Sequence, residues 1–296
     1  METKRKKAGI VCCSNGQRVN YAEKIRALEE TLRIIGIEAV FSPYIYEREN
    51  VYSATAIERA KALMDFYQND EITEIFDISG GDIANGILPY LDYSVIANCT
   101  KRFWGYSDLT TIINAIYAKT KKVSVLYQVR NLIYDHCRQQ CADFQNTLID
   151  QGTALFQWEY TFVQGQLMEG CVVGGNIRCF LKLAGTEYMP DLQDKILLLE
   201  AYSGTVAQME TYLCQLQQLG AFQKIAGILL GTFTQMEAEA CQPTMEMLVK
   251  KFAGKHLPIA VTHKIGHGTD AKAIVIGAHL RLEKNNECGG GCCNKL

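Results

Sequence analysis

The first half of this chain alternates short apolar runs with amphipathic segments, and that alternation restricts the fold more than any other feature. Apolar runs at 8–13, 37–41 and 74–78 read as strands. The segment 21–35 carries Ala22, Ile25, Leu28, Leu32 and Ile35 on one helical face and stops at Gly36, and 54–69 reads as a second helix. Short extended segments are expected at 95–98 and 103–106, a strand at 123–128 and a helix over 132–150. Strands that alternate with helices in this way build a parallel sheet covered on both faces, and such sheets bind ligands at the carboxyl ends of their strands. Gly80-Gly81 and Ser107 both fall at such ends.

Past residue 150 the texture changes. Gly152, Gly165, Gly170, Gly174, Gly175 and Gly185 punctuate short segments, as in a β-rich region with tight turns. A strand at 196–199 ending in Glu200, a helix at 206–219, a strand at 226–230, a helix at 244–252 and strands near 259–262 and 273–282 follow. A length of 296 residues is comfortable for two domains. The expected class is α/β: an N-terminal parallel-sheet domain, flavodoxin-like or amidotransferase-like, over 1–150, a linker over 151–168, a smaller β-rich α/β domain over 169–284, and a flexible Cys/Gly tail over 285–296.

A formal net charge of −2 removes the electrostatic argument for a nucleic-acid partner, and Lys4-Arg5-Lys6-Lys7 reads as a solvated arm. No apolar run approaches the roughly 18–20 residues of a membrane span, so no membrane partner is expected. Basic residues followed by an apolar stretch imitate a signal peptide, yet that stretch ends at Ser14-Asn15-Gly16, which favours a buried first strand and a cytoplasmic protein. Most of the 12 cysteines, such as Cys171, Cys179 and Cys214, sit singly in apolar segments and read as reduced thiols. The tail Cys288-Gly289-Gly290-Gly291-Cys292-Cys293 lacks a second ligand pair at zinc-finger spacing, which disfavours a metal there, and no cofactor is expected of the chain.

Chemistry concentrates at Gly105-Tyr106-Ser107-Asp108-Leu109-Thr110, a strand-to-helix junction. A serine there fits two roles: a nucleophile on a sharp turn near the positive end of the next helix, or an N-cap, the commoner role for Ser before Asp. A nucleophilic serine needs a base, and the base needs an acid. Of the five histidines, His136 and His279 sit inside expected elements, His256 precedes Leu257-Pro258 in a loop, and His263 and His267 share a loop in which only His267 is flanked by glycines. Glu200 ends an apolar run, where it either faces solvent or finds a partner for a buried carboxylate. A zinc site at His263 and His267 is disfavoured by the helix-breaking Gly266 and Gly268. Arg102 and Arg178 lie near the expected cleft in sequence and are candidates for a substrate carboxylate.

The chain resembles the serine LD-carboxypeptidases, a family that includes the muramoyl-tetrapeptide carboxypeptidases and the microcin C self-immunity peptidases. The resemblance runs in order through Gly80-Gly81-Asp82, Leu88-Pro89-Tyr90-Leu91-Asp92-Tyr93, the Ser107 hexapeptide, Gly174-Gly175-Asn176, Gly185-Thr186-Glu187-Tyr188-Met189-Pro190-Asp191, Lys195-Ile196-Leu197-Leu198-Leu199-Glu200, Ala226-Gly227-Ile228-Leu229-Leu230-Gly231 and Gly266-His267-Gly268. It implies Ser107 as nucleophile, His267 as base and then acid, and Glu200 as the carboxylate that orients His267. It also implies an oxyanion hole, placed at the amides of Gly81 and Asp108, Asn176 as a further substrate-binding candidate, and a homodimer. The implied substrate is a small peptide, either a murein peptide or a peptidyl nucleotide, and the implied reaction releases a C-terminal D-amino acid. A catalytically silent ligand-binding protein is the reading from another class. Three places depart from the family pattern: Ala201 follows Glu200 where an acid is common, a usual proline is absent around Ala273-Ile274-Val275, and Cys12-Cys13-Ser14 stands where proline-serine is frequent. Asp82 resembles the microcin-immunity branch, and the compact second half the cell-wall enzymes.

Overall fold

A computed structural model of the chain describes residues 6–284 and 292–293. Five parallel strands, β1 Lys6–Val11, β2 Ile37–Phe41, β3 Ile72–Asp77, β4 Arg102–Gly105 and β5 Ser124–Leu126, lie in the order β5-β4-β3-β1-β2. Between and after them come α1 Ala22–Ile35, α2 Ala56–Gln68, α3 Tyr93–Asn98, α4 Thr110–Thr120 and α5 Cys137–Leu148. The two-residue period of the strands sorts their side chains onto two faces. Ile10, Phe76 and Trp104 pack on α1 and α5 through Leu28, Leu32 and Phe144. Val11, Ile75 and Phe103 pack instead on α2 and α4 through Leu63, Ile112 and Ile116. Both faces are therefore apolar, as the sequence alternation requires.

The remainder supplies β6 to β13 and α6 to α10. Its strands are β6 Gln157–Trp158, β7 Thr161–Gln164, β8 Leu167–Asn176, β9 Lys195–Ala201, β10 Gly227–Phe233, β11 Ile259–Val261, β12 Ile274–Ile276 and β13 His279–Glu283. Its helices are α6 Ile177–Leu181, α7 Val206–Gln218, α8 Ala221–Lys224, α9 Thr234–Ala238 and α10 Met245–Ala253. Six of these strands form a second sheet in the order β13-β8-β9-β10-β11-β7, parallel from β8 to β11 with antiparallel edges, while β6 and β12 lie outside it. Ile196 and Leu198 of β9 join the core shared with α4, while Leu197 and Leu199 join a core with Leu213 of α7 and Leu248 of α10. Helix α4 is thus packed between the two sheets. Three polar ties fasten it there: Asn114 Nδ2 to the Gly174 carbonyl at 2.8 Å, the Gly174 amide to Asn114 Oδ1 at 2.9 Å, and the Asn176 amide to Thr110 Oγ1 at 3.1 Å.

Several boundaries differ from the sequence reading. Residues 95–98, expected extended, belong to α3, because Asp92 Oδ1 accepts the Ser94 and Val95 amides and caps a six-residue helix. The helix expected over 132–150 begins at Cys137, after a 3-10 turn Val129–Ile133. The single strand expected over 273–282 is two strands in two sheets: β12 crosses back to pair antiparallel with β5, and β13 pairs with β8. The tail expected over 285–296 lies outside the described residues apart from Cys292–Cys293, which pair with β6. No described helix is long and apolar enough to cross a membrane. Cys12 and Cys13 are buried free thiols that burial pushes well above the usual range, which makes them packing residues.

Candidate active site

Strand β4 delivers its chain into a sharp turn. Tyr106 is extended at φ −161°, and Ser107 then takes φ 55° before the 3-10 turn Ser107–Leu109 runs into α4. A left-handed conformation at a residue with a Cβ costs about 1–2 kcal/mol, so the surrounding packing must impose it. Ser107 is the first residue of that turn and the N-cap of neither element: the position falls to Tyr106 for the turn and to Leu109 for α4. The capping role that sequence statistics favour is not the one adopted.

Glu200 is the penultimate residue of β9 and is 1% exposed. His267 comes from the loop between β11 and β12, and its Nδ1 lies 2.6 Å from Glu200 Oε2. A carboxylate only accepts, so the Nδ1 proton is held on that side and Nε2 is left for chemistry. Two tyrosine rings flank the imidazole, Tyr106 at 4.3 Å and Tyr202 at 5.2 Å between centroids. Because Tyr106 immediately precedes Ser107, this contact carries the histidine to the elbow. The loop is pinned by Lys264 Nζ to Asp270 Oδ2 at 2.6 Å, Asn131 Nδ2 to the Gly268 carbonyl at 3.4 Å and His136 Nδ1 to Thr269 Oγ1 at 2.8 Å. Gly266, at φ 144°, has no room for a Cβ against Thr232 of β10. Its glycine character serves that close approach to the sheet. His263 lines a separate cavity of about 340 Å³ with Phe233 and Met236, in a stretch that forms no helix.

The exits of β1 and β3 meet the elbow from the other side. Buried Asp77 accepts the Cys13 amide on Oδ2 at 2.8 Å, and the Ser79 amide and hydroxyl on Oδ1 at 2.8 and 2.5 Å. Burial pushes the Asp77 carboxyl up, against the pull of those hydrogen bonds. The loop that follows lies against Ser107: a Cβ added at Gly80 would stand 3.9 Å from that of the serine. Gly81, at φ 127°, would drive a side chain into Asn15, whose Oδ1 accepts the Asp82 amide at 3.1 Å. The Gly81 amide has no acceptor among the described residues.

Asp108 turns its carboxylate away from the cleft into the protein, where it accepts from Ser14 Oγ at 2.7 Å, the Ala84 amide at 2.8 Å and Lys182 Nζ at 2.5 Å. Helix α6 thereby clamps the site. Arg178 on α6 donates to the Asp82 carboxylate and to the Gly81 carbonyl at 3.2 Å, and Lys182 donates to the Asp82 carbonyl at 2.9 Å. The hydrogen bond from Arg178 holds the Asp82 carboxyl below its usual value. Removing the Lys182 ammonium leaves a buried carboxylate without its counter-charge, so Lys182→Met is expected to cost about 2–3 kcal/mol. Urea denaturation reads this directly, and an unchanged midpoint would refute the clamp.

Ser107, Glu200, His267, Gly81 and Asp108 thus come together from the ends of β3, β4 and β9 and the β11–β12 loop. Asn176 lies beside them, paired with Glu200 across β8 and β9 and capping α6 through the Cys179 amide at 3.3 Å. Arg178 is near, but engaged by Asp82. Arg102 is not brought to the cleft: it opens β4 at the amino end, paired with Glu74, whose carboxylate also accepts Trp104 Nε1 at 2.8 Å. Asp77 and Lys182 were missed by sequence reasoning. Lys182 alone left a trace, four residues after Arg178 on a segment too short to read as a helix.

Residues 8–128 match the sequence pattern of the LD-carboxypeptidase N-terminal domain, and residues 169–282 that of the LD-carboxypeptidase C-terminal domain. The chain is 25% identical to the microcin C7 self-immunity protein MccF of Escherichia coli, covering 79% of this chain and 78% of that one. It is 23% identical to the murein tetrapeptide carboxypeptidase of Pseudomonas aeruginosa, covering 87% and 89%. The structure of MccF in complex with glutamyl sulfamoyl guanosine superposes with a TM-score of 0.86 at 21% identity, over 99% of this chain and 97% of that one.

Proposed function

The chain belongs to the LD-carboxypeptidase family of serine peptidases, and on that premise we propose that it hydrolyses an L,D-peptide bond, releasing D-Ala from a murein tetrapeptide in cell-wall recycling. The observation that carries this reading is the 2.6 Å contact between His267 Nδ1 and Glu200 Oε2, with the imidazole against the tyrosine that precedes Ser107. In this reading Ser107 Oγ attacks the scissile carbonyl while His267 Nε2 takes its proton, and the Gly81 and Asp108 amides receive the oxyanion. The imidazolium then protonates the departing amine and leaves an acyl-enzyme. His267 next activates a water that releases the shortened peptide, and Glu200 stabilises the imidazolium in both halves.

A second reading keeps this chemistry and exchanges the substrate for an acyl-nucleotide conjugate. It is favoured by Asp82, which follows the glycine pair and borders a cavity of about 650 Å³ that Arg48 and Tyr52 also line, beside the oxyanion loop. Incubation with murein tri-, tetra- and pentapeptides and with an acyl-sulfamoyl adenylate, read by mass, separates the two. Loss of one D-Ala from the tetrapeptide, with the tripeptide untouched, is expected. Cleavage of the conjugate alone would transfer the assignment to the second reading, and turnover of none would sink both.

A further inference from the structure

An enzyme that removes a terminal residue must recognise a free carboxylate, which calls for a cation not already neutralised by the protein. The cations around the elbow differ in this respect. Arg178 and Lys182 are paired with Asp82 and Asp108. Arg59, 3% exposed, donates to the carbonyls of Cys13, Ser14 and Ile83. Arg59 forms no ion pair among the described residues and leaves its own Nε without an acceptor, but its guanidinium is committed to those three carbonyls; Arg130 likewise forms no ion pair and has a single, neutral protein partner, with Nη1 donating to Gln17 Oε1 at 3.2 Å. Its Nε is buried with no acceptor.

The position of Arg130 is equally specific. It sits on the 3-10 turn that follows β5, at the same end of the sheet as Ser107, and the Tyr127 amide ties that exit to the Gly105 carbonyl at 2.9 Å. Gln17 is itself anchored, with Nε2 donating to the Ile78 carbonyl at 2.9 Å beyond β3. The next residue, Asn131, holds the carbonyl of Gly268, beside His267. The guanidinium is also close enough to act on Tyr106: burial and the Glu200 carboxylate push that phenol upward, and the charge of Arg130 opposes them.

We propose that Arg130, oriented by Gln17, is the residue that receives the terminal carboxylate of the substrate. This rests on the reading of Ser107 as a nucleophile acting on a C-terminal peptide bond. The planar guanidinium offers paired donors that a carboxylate accepts and a carboxamide matches poorly, so the subsite selects chains with a free end over amidated ones. It does the work that Arg102 is too far along β4 to do.

The test measures binding of a murein tetrapeptide, as free acid and as C-terminal amide, to the full chain carrying Ser107→Ala, by calorimetry. The acid is expected to bind at least about 10-fold more tightly than the amide. Adding Arg130→Gln is expected to erase that preference by weakening the acid alone, and Arg130→Lys to restore part of it. Absence of an acid preference, through equal affinity or no binding, overturns the assignment, as does a preference that survives Arg130→Gln. Fluorophosphonate labelling of Ser107 in otherwise wild-type and Arg130→Gln chains reports the nucleophile separately. Labelling that fails in the wild type sinks the serine reading, whereas labelling intact in both without an acid preference sinks the role of Arg130 alone.

Discussion

Ser107→Ala is expected to lower kcat on a cleaved peptide by roughly 10⁴-fold or more while leaving the thermal midpoint nearly unchanged. Both halves follow from the geometry. Ser107 holds the N-cap position of neither the turn nor α4, so deleting its hydroxyl removes no N-cap hydrogen bond from either element. The φ of 55° is as uncomfortable for alanine as for serine, so the backbone strain is unchanged. A glycine provides the contrast. Ser107→Gly relieves about 1–2 kcal/mol of left-handed strain and loses about 0.5–1 kcal/mol to greater unfolded-state freedom, so it should melt no lower than the alanine variant, with the same loss of activity. Residual turnover above about 10% of wild type in Ser107→Ala would remove the serine from the mechanism, since no nucleophile deletion is so mild.

Glu200→Gln is the second large effect, expected to reduce kcat by about 10³- to 10⁴-fold. The substitution keeps shape and burial but replaces an acceptor 2.6 Å from His267 Nδ1 with a group that can donate. Rotated to donate, the amide forces the Nδ1 proton onto Nε2, the nitrogen that must accept from serine. Rotated to accept, it keeps the tautomer yet no longer offers a full charge to the imidazolium. Glu200→Asp tests position separately from charge: shortening by one methylene withdraws the carboxylate by about 1.5 Å, and a misplacement near 1 Å carries about 10²-fold in rate. Steady-state kinetics on the three chains give the ranking. Equal rates for wild type and Glu200→Gln would show that the glutamate only packs.

The N-terminal sheet was legible because its signals are local. Ile25, Leu28, Leu32 and Ile35 repeat at helical spacing and are all buried on α1, and the apolar run from Ala8 to Cys13 is buried along β1 and just past its end. The candidate triad was legible for another reason. Ser107, Glu200 and His267 each close an element or sit between glycines, and the family resemblance supplied the pairing that spacing leaves open. The α3 segment was not legible, because over six residues one aspartate cap outweighs propensity. Arg102 misled because nearness in sequence to Ser107 says nothing of which end of a strand a side chain occupies.

The sequence by itself determined the α/β class, the alternation that sets strand ends facing a cleft, and the residue types able to carry acyl transfer. These follow from periodicity and turn chemistry within a dozen residues. Only the tertiary structure decided that Ser107 is an elbow and not a cap, that Asp108 turns its carboxylate inward to Lys182, 74 residues away, and that Glu200 meets His267 across 67 residues. It also decided that Arg178 is engaged while Arg130 forms no ion pair among the described residues. The reason is physical: a backbone conformation is governed by neighbours in the chain, whereas the role of a charge depends on which opposite charge the packing of two sheets brings within about 4 Å.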